Sequence, residues 1–361
     1  MTSSSYFLFS NGVVSHSSTI PPVTTFLESH PGAYTTTRSH DNGSCLLFWD
    51  RHLHRLSNSA RILFNSNPHL LFNIPISTER SLSLPPPPPP IWDSAVKALV
   101  DDSVGKVLPV ALRERKDGEE LAITALVSGD SKKMRKIENL SRKSIVEVLD
   151  VCVHIGSYVP PVFGVRENGA RVAVVGHGRD IAEAKYSDWV RLRKPLENLR
   201  PPSVTELLLS NDGDQILEGC VTNFFVVCRK ENSEIKGNNF LSDKNSCPFE
   251  VQTAPISDGV LPGVVRQLVI EVCISKGIPV QEVAPLWSRR EFWQEAFITN
   301  SLRILQHVEK IQVPSSWESM EQKAFEAISW EEKCFGEDPG MITAAIQKEI
   351  MEKASLEGYL L

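Results

Sequence analysis

The sequence lacks several features, and each absence removes a class of function. Its seven cysteines are scattered and never fall in a C-x-x-C spacing, so neither a disulfide scaffold nor a thiolate zinc site is expected, and the usage fits a reducing compartment. No apolar run approaches the length that spans a bilayer. Basic charge is also short. The formal net charge is −6, with no basic tract or stripe, which argues against a general nucleic-acid or membrane-surface binder. The serine-rich start has no Lys or Arg before Arg38, unlike a signal, mitochondrial or plastid targeting peptide, and the expected location is cytoplasmic.

At 361 residues the chain has room for two domains with substantial cores, expected at 1–178 and 179–361. Tyr6 to Phe9 and Val13-Val14 read as strands around an Asn11-Gly12 turn. Leu46 to Trp49 reads as a further strand, leading to a helix that carries Arg55. Pro85 to Pro90 predict an extended, stiff surface loop, since a proline run cannot continue a helix or central strand. After it, Ser94 to Val107 reads as helix, and Leu121 to Val127, Ile145 to Val153 and Val172 to Val175 as strands of the first domain's sheet. Leu207 to Leu209, a turn at Asn211 to Asp214, and Phe224 to Val227 place Glu218 on the loop or strand edge of a hairpin. From Pro262 to Lys276, apolar residues recur at Val264, Val265, Leu268, Val269, Val272 and Cys273, with Pro262-Gly263 before and Gly277 after. That spacing predicts a helix whose first amides, at Val264 and Val265, favour an anion.

Certain pieces stand in a fixed order: His52-Leu53-His54-Arg55-Leu56 with Ser59, then Lys185, then Glu218 to Asn223-Phe224-Phe225, then Thr253, Leu261-Pro262-Gly263-Val264-Val265-Arg266 and Thr299-Asn300-Ser301. Taken singly, each has a plain structural reading as a surface cation, a turn residue or a cap. As an ordered set they resemble the class IV aminotransferases, the pyridoxal 5'-phosphate (PLP) enzymes that include D-amino-acid and branched-chain aminotransferases and aminodeoxychorismate lyase.

The resemblance implies an α+β, two-domain fold of type IV, with an N-terminal α+β domain, a C-terminal domain built on a β-barrel-like sheet, and PLP in the cleft between them. It implies Lys185 as the amine holding PLP as a Schiff base and Glu218 as the carboxylate that keeps the pyridine nitrogen protonated. Arg55, Asn223, Gly263, Val264, Val265 and Ser301 are implied as further cofactor contacts. Tyr34, Thr36 and Arg38 lie on a strand resembling the family's G-x-F-x-T-x-R element and are candidate substrate contacts. The implied partners are a small amino acid and a 2-oxo acid, and the implied assembly is a homodimer; no metal, nucleic acid or membrane is implied. Three readings stay open: transamination through Lys185, elimination of pyruvate of the aminodeoxychorismate lyase type, and a non-catalytic protein that keeps the fold for interaction. The chain departs from the family pattern in three places. A polar stretch runs from Arg229 to Asn245, Val265 stands where relatives often carry threonine, and an acidic, tryptophan-containing segment occupies 314–335.

Overall fold

The computed structural model describes residues 6–10, 12–17, 19–74, 88–137, 141–230, 247–317 and 328–360. The chain divides into two compact units. The first comprises Met1–Pro160, Glu183–Leu192 and Glu357–Leu361, and the second Pro161–Ala182 and Arg193–Leu356. The ten residues that carry Lys185 thus belong to the first unit, although the chain has already entered the second before them.

The first unit is a seven-stranded sheet with helices on both faces. Its elements in chain order are β1 (Tyr6–Ser10), β2 (Val13–Ser17), α1 (Val23–Ser29), β3 (Ala33–His40), β4 (Cys45–Leu46), α2 (Trp49–Ser66), α3 (Pro68–Phe72), α4 (Pro89–Glu114), β5 (Glu120–Gly129), α5 (Ser131–Met134), α6 (Arg142–Val148) and β6 (Leu149–Tyr158). With β16 (Tyr359–Leu360) the strand order is β16-β4-β3-β5-β6-β1-β2. Alternate residues of a strand face opposite sides, and β3 uses both. Tyr34 packs with Phe26 of α1, Leu126 and Val190, whereas Thr35 turns the other way and reaches His52 of α2. On that second face α2 and α4 lock together through Phe64 and Trp92, 5.3 Å apart, and through the Trp92 indole N–H donating to the Ser57 carbonyl.

Four local expectations differ from the structure here. Leu46 to Trp49 is not a strand: β4 ends at Leu46, Phe48 takes a left-handed conformation and Trp49 opens α2. Ile145 to Val153 is helix and then strand, because Ser141 caps the Ser144 amide and starts α6. Pro89 and Pro90 are the first turn of α4, where a missing amide costs no helical hydrogen bond, so the helix begins well before Ser94. Residues 85–87 of the proline run lie outside the described residues. Val172 to Val175 forms part of β7 (Ala170–Gly176), which belongs to the sheet of the second unit.

The second unit holds β7, β8 (Glu206–Ser210), β9 (Ile216–Gly219), β10 (Asn223–Arg229), β11 (Phe249–Thr253), β12 (Val280–Glu282), β13 (Trp293–Asn300), β14 (Ile304–Pro314) and β15 (Trp330–Cys334). The pairings β10-β13-β14-β7-β8-β9 close on themselves through β9 and β10, giving a six-stranded barrel from which β11, β12 and β15 extend. The barrel interior is filled by side chains such as Val172, Leu208, Ile216, Phe224, Trp293 and Ile298. Full burial of each such side chain contributes about 1.5–3 kcal/mol. Helix α7 (Asp188–Leu192) follows Lys185 in the first unit, and α8 (Lys194–Glu197), α9 (Val264–Lys276) and α10 (Met341–Glu357) belong to the second, apart from the last residue of α10. Of the segment 314–335, Trp317 packs against the barrel core and β15 pairs antiparallel with β14, while 318–327 lie outside the described residues. Residues 231–245 of the polar stretch lie outside them as well.

Candidate active site

In the first unit the backbone of Lys185 is pinned on three sides. Its carbonyl accepts from the Tyr34 amide at 2.9 Å, its own amide donates to Ser59 Oγ of α2 at 3.0 Å, and two residues on the Ser187 amide donates to the Gly32 carbonyl at 2.9 Å. Gly32 makes this possible. Its φ is +145°, and a Cβ there would run into the Val127 carbonyl of β5. The half-buried Lys185 side chain lies with Nζ 4.7 Å from the centre of the Tyr34 ring, within reach of a cation–π attraction.

Beside it runs a three-residue relay. Arg55 Nη2 donates to Thr35 Oγ1 at 2.8 Å, and Thr35 Oγ1 lies 2.9 Å from His52 Nδ1. A guanidinium has no acceptor, so the threonine hydroxyl must accept from Arg55, and its own proton is available to His52. His52 and Arg55 are three residues apart on α2 and share a face. Arg55 is 8 % exposed and His52 1 %. The imidazole is held well below its ordinary pKa, first by burial and then by the positive charges of Arg55 and Lys185. Of the remaining candidates on β3, Thr36 Oγ1 lies 2.9 Å from Thr124 Oγ1 of β5, and the buried Arg38 places Nη1 on the Ser39 carbonyl at 3.0 Å. Thr35, which the sequence did not single out, is the β3 residue that meets Arg55.

The second unit builds a carboxylate site where its barrel closes. Glu218 and Asn223 are paired across β9 and β10, and that pair is the closing rung. The β8–β9 register slips between Leu209 and Ser210, so Leu217 is an extra residue. The bulge is what re-aims Glu218. Ile216 points into the barrel core, Leu217 packs separately with Ala254 and Val260, and Glu218 turns to a polar nest. Glu218 is 1 % exposed. Its Oε1 accepts from Arg179 Nε and Nη2 at 2.8 and 2.6 Å; its Oε2 accepts from the Leu261 amide at 2.9 Å and Asn223 Nδ2 at 3.3 Å. Arg179 is thus a member of the site with no signal of its own in the sequence, since its partner is brought to it only by the bulge and the barrel.

Asn223 also ties Glu218 to the start of α9. Its Nδ2 donates to the Leu261 carbonyl at 2.9 Å, and a Cβ on Gly263 would collide with its Oδ1, so only glycine fits there. Gly263 caps α9 without a side-chain hydrogen bond, which leaves the first amides of a thirteen-residue helix for an anion. Two buried hydroxyls flank Asn223: Thr222 precedes it and Thr299 is its register partner on β13. Neither Oγ1 has a hydrogen-bond partner among the described residues. Thr253 and Arg266 have structural partners, the Phe224 carbonyl at 2.8 Å and Glu282 at 2.7 Å.

Ser301 sits in the β13–β14 turn. Asn300 Oδ1 accepts the Leu302 and Arg303 amides at 3.1 and 2.8 Å, Arg303 pairs with Glu206 at 3.3 Å, and Ile304 takes a positive φ of 64°. These contacts fix the turn. The buried thiols of Cys228 and Cys273 are pushed up to about 12 by desolvation, so neither offers a thiolate at neutral pH.

The family model described as amino-transferase class IV matches residues 108–311 of the chain, more than half its length. No curated protein matches the sequence. Among solved structures, a branched-chain aminotransferase from Thermoproteus uzoniensis with norvaline is similar at a TM-score of 0.59 and 19 % identity, with 98 % of this chain and 96 % of that one covered. A putative branched-chain amino acid aminotransferase from Thermotoga maritima gives 0.56 and 18 %, with 98 % of each chain covered. An aminotransferase from Brucella abortus bound to the cofactor PLP gives 0.56 and 15 %, with 97 % and 99 % covered. At these identities the structures speak for the fold, and the sequence match for the family. The chain belongs to the class IV aminotransferase family.

Proposed function

We propose that this chain is a PLP-dependent aminotransferase that moves an amino group between a small amino acid and a 2-oxo acid. The observation that carries the reading is the Glu218 nest: a carboxylate withdrawn from water, held by four N–H donors and joined through Asn223 to an uncapped helix start. The residues suit PLP on their own chemistry. A buried anion answers a protonated ring nitrogen, the α9 amides and the partnerless hydroxyls of Thr222 and Thr299 answer a phosphate, and glycine at 263 leaves room for Asn223 against the helix start. Arg55 supplies a buried positive charge and Ser301 a further hydroxyl.

PLP, when bound, supplies an electron sink for the charge left at the substrate Cα. The protein's share is acid–base and electrostatic. Lys185 Nζ would hold the cofactor at rest and, once the substrate amine has displaced it, would be free to take the proton from the substrate Cα; its backbone anchoring fixes where that side chain starts. Glu218, fixed by Arg179, keeps negative charge where a protonated nitrogen needs it. Water shed from such a nest strengthens each of these interactions. The working assembly is proposed to be a cytoplasmic homodimer; no helix among the described residues is long and apolar enough to cross a membrane.

The test is an amino-donor panel, D and L, with 2-oxoglutarate, on purified protein whose bound PLP is quantified. Formation of the matching 2-oxo acid supports the proposal. Pyruvate released from aminodeoxychorismate without any acceptor, or no bound PLP at all, overturns it.

A further inference from the structure

A carboxylate offers about four acceptor positions, two on each oxygen. In Glu218 all four are taken: Oε1 by Arg179 Nε and Nη2, Oε2 by the Leu261 amide and Asn223 Nδ2. A protonated ring nitrogen therefore has no vacant lone pair to meet, and one donor must yield. The distances rank them. The Arg179 contacts, at 2.8 and 2.6 Å, are charge-assisted and short, and the Leu261 amide, at 2.9 Å, is fixed by its backbone. Asn223 Nδ2, at 3.3 Å, is the longest, and its second acceptor, the Leu261 carbonyl at 2.9 Å, is nearer than Glu218, whereas the second acceptor of Arg179 Nη2, the Ala182 carbonyl, lies at 3.4 Å, farther than Glu218. That second contact also fixes the amide orientation, since a carbonyl can be met only by the NH2 end.

Resting on the PLP reading above, we propose that Asn223 is a placeholder on Glu218: its amide satisfies Oε2 in the cofactor-free protein and gives that position up to the ring nitrogen on binding, keeping its hold on the Leu261 carbonyl. The physical reason for a placeholder is the burial of Glu218, because a charged oxygen left short of a donor in the interior is costly. Loss of one N–H and gain of another keeps the carboxylate satisfied throughout. The exchange has a consequence that can be measured. In the native protein the ring nitrogen's gain is reduced by the bond it displaces, and in an Asn223→Ala variant nothing is displaced.

The experiment compares two ligands on the native protein and on Asn223→Ala: PLP, and an analogue in which C–H replaces the ring nitrogen. The ratio of their dissociation constants, measured by fluorescence titration of cofactor-free protein, isolates the nitrogen and cancels changes at the phosphate, which both ligands share. A hydrogen bond to a charged group is worth about 1.5–3 kcal/mol. At the lower end that predicts a preference for PLP about tenfold larger in the variant. An unchanged ratio overturns the placeholder role. Should Asn223→Ala fail to fold, the side-chain amide resonance of Asn223 in the native protein decides instead. It should shift with PLP and stay put with the analogue, and an equal shift with both overturns the proposal. If neither ligand binds, the PLP reading itself falls and this inference with it; if both bind, that reading stands whatever the ratio.

Discussion

His52 should make the first unit sensitive to mild acid, well before any carboxylate titrates. His52 Nδ1 shares a hydrogen bond with Thr35 Oγ1, and Thr35 accepts from Arg55. Protonating His52 would set a second donor against the same hydroxyl and a second cation beside Arg55, 3.5 Å away, in a place closed to water. The folded pKa is accordingly depressed well below 6.5, by burial first and then by Arg55 and Lys185. The unfolded chain binds this proton from about pH 6.5 downward while the native state refuses it, so its contribution to stability is complete above that pH and is lost as pH falls. One such group removes about 1.4 kcal/mol between pH 7.5 and 5.5. In His52→Asn the amide oxygen can accept from Thr35 but cannot titrate. Urea unfolding of native and variant protein at pH 7.5, 6.5 and 5.5 should show the variant losing about 1.4 kcal/mol less over that span. The half-buried His40 and the buried His154 and His307 are also held below 6.5, chiefly by desolvation, and cancel in the difference. Parallel stability profiles, or a His52 ring resonance that titrates near pH 6.5, would refute the relay.

Lys185→Ala should leave PLP held only non-covalently, with turnover nearly abolished; borohydride reduction and peptide mapping of the native protein should mark Lys185, and a label on another lysine would move the assignment. Glu218→Gln keeps an acceptor for the Leu261 amide but strips Arg179 of its buried partner, so a loss of about 3–5 kcal/mol in unfolding free energy is expected along with much slower turnover. Native-like stability in that variant would show that the pair is not what holds the nest. Arg55→Ala should weaken PLP binding by roughly tenfold to a hundredfold, from about 1.5–3 kcal/mol for a bond to a charged group, and Ser301→Ala should weaken it less. Titration of cofactor-free protein gives the comparison, and the opposite ranking would overturn this picture of the phosphate contacts.

What could be read from the sequence and what could not divide along a physical line. The hairpin that pairs Glu218 with Asn223 and the helix from Val264 to Lys276 are local, set by turn residues and a 3.6-residue apolar period, and both are there. The errors fall where one apolar pattern admits two answers. Ile145-Val146 and Val148 suit a strand by composition, and the hydroxyl of Ser141 decides for helix. Val172 to Val175 is strand in either sheet, and nothing local says which one it joins. Arg179 and Thr35 are harder still. Arg179 acquires its meaning from a bulge at Leu217 thirty-odd residues on, roughly, and Thr35 from the face of α2 that β3 happens to meet. A motif records residues whose chemistry is needed, whereas the residues that aim them are chosen by packing. The resemblance therefore named Glu218, Arg55 and Lys185, while the groups touching them, Arg179, Thr35 and Tyr34, emerge as partners only once the strands are paired. Mutations at those partners should thus act through orientation and charge rather than through direct loss of a reacting group.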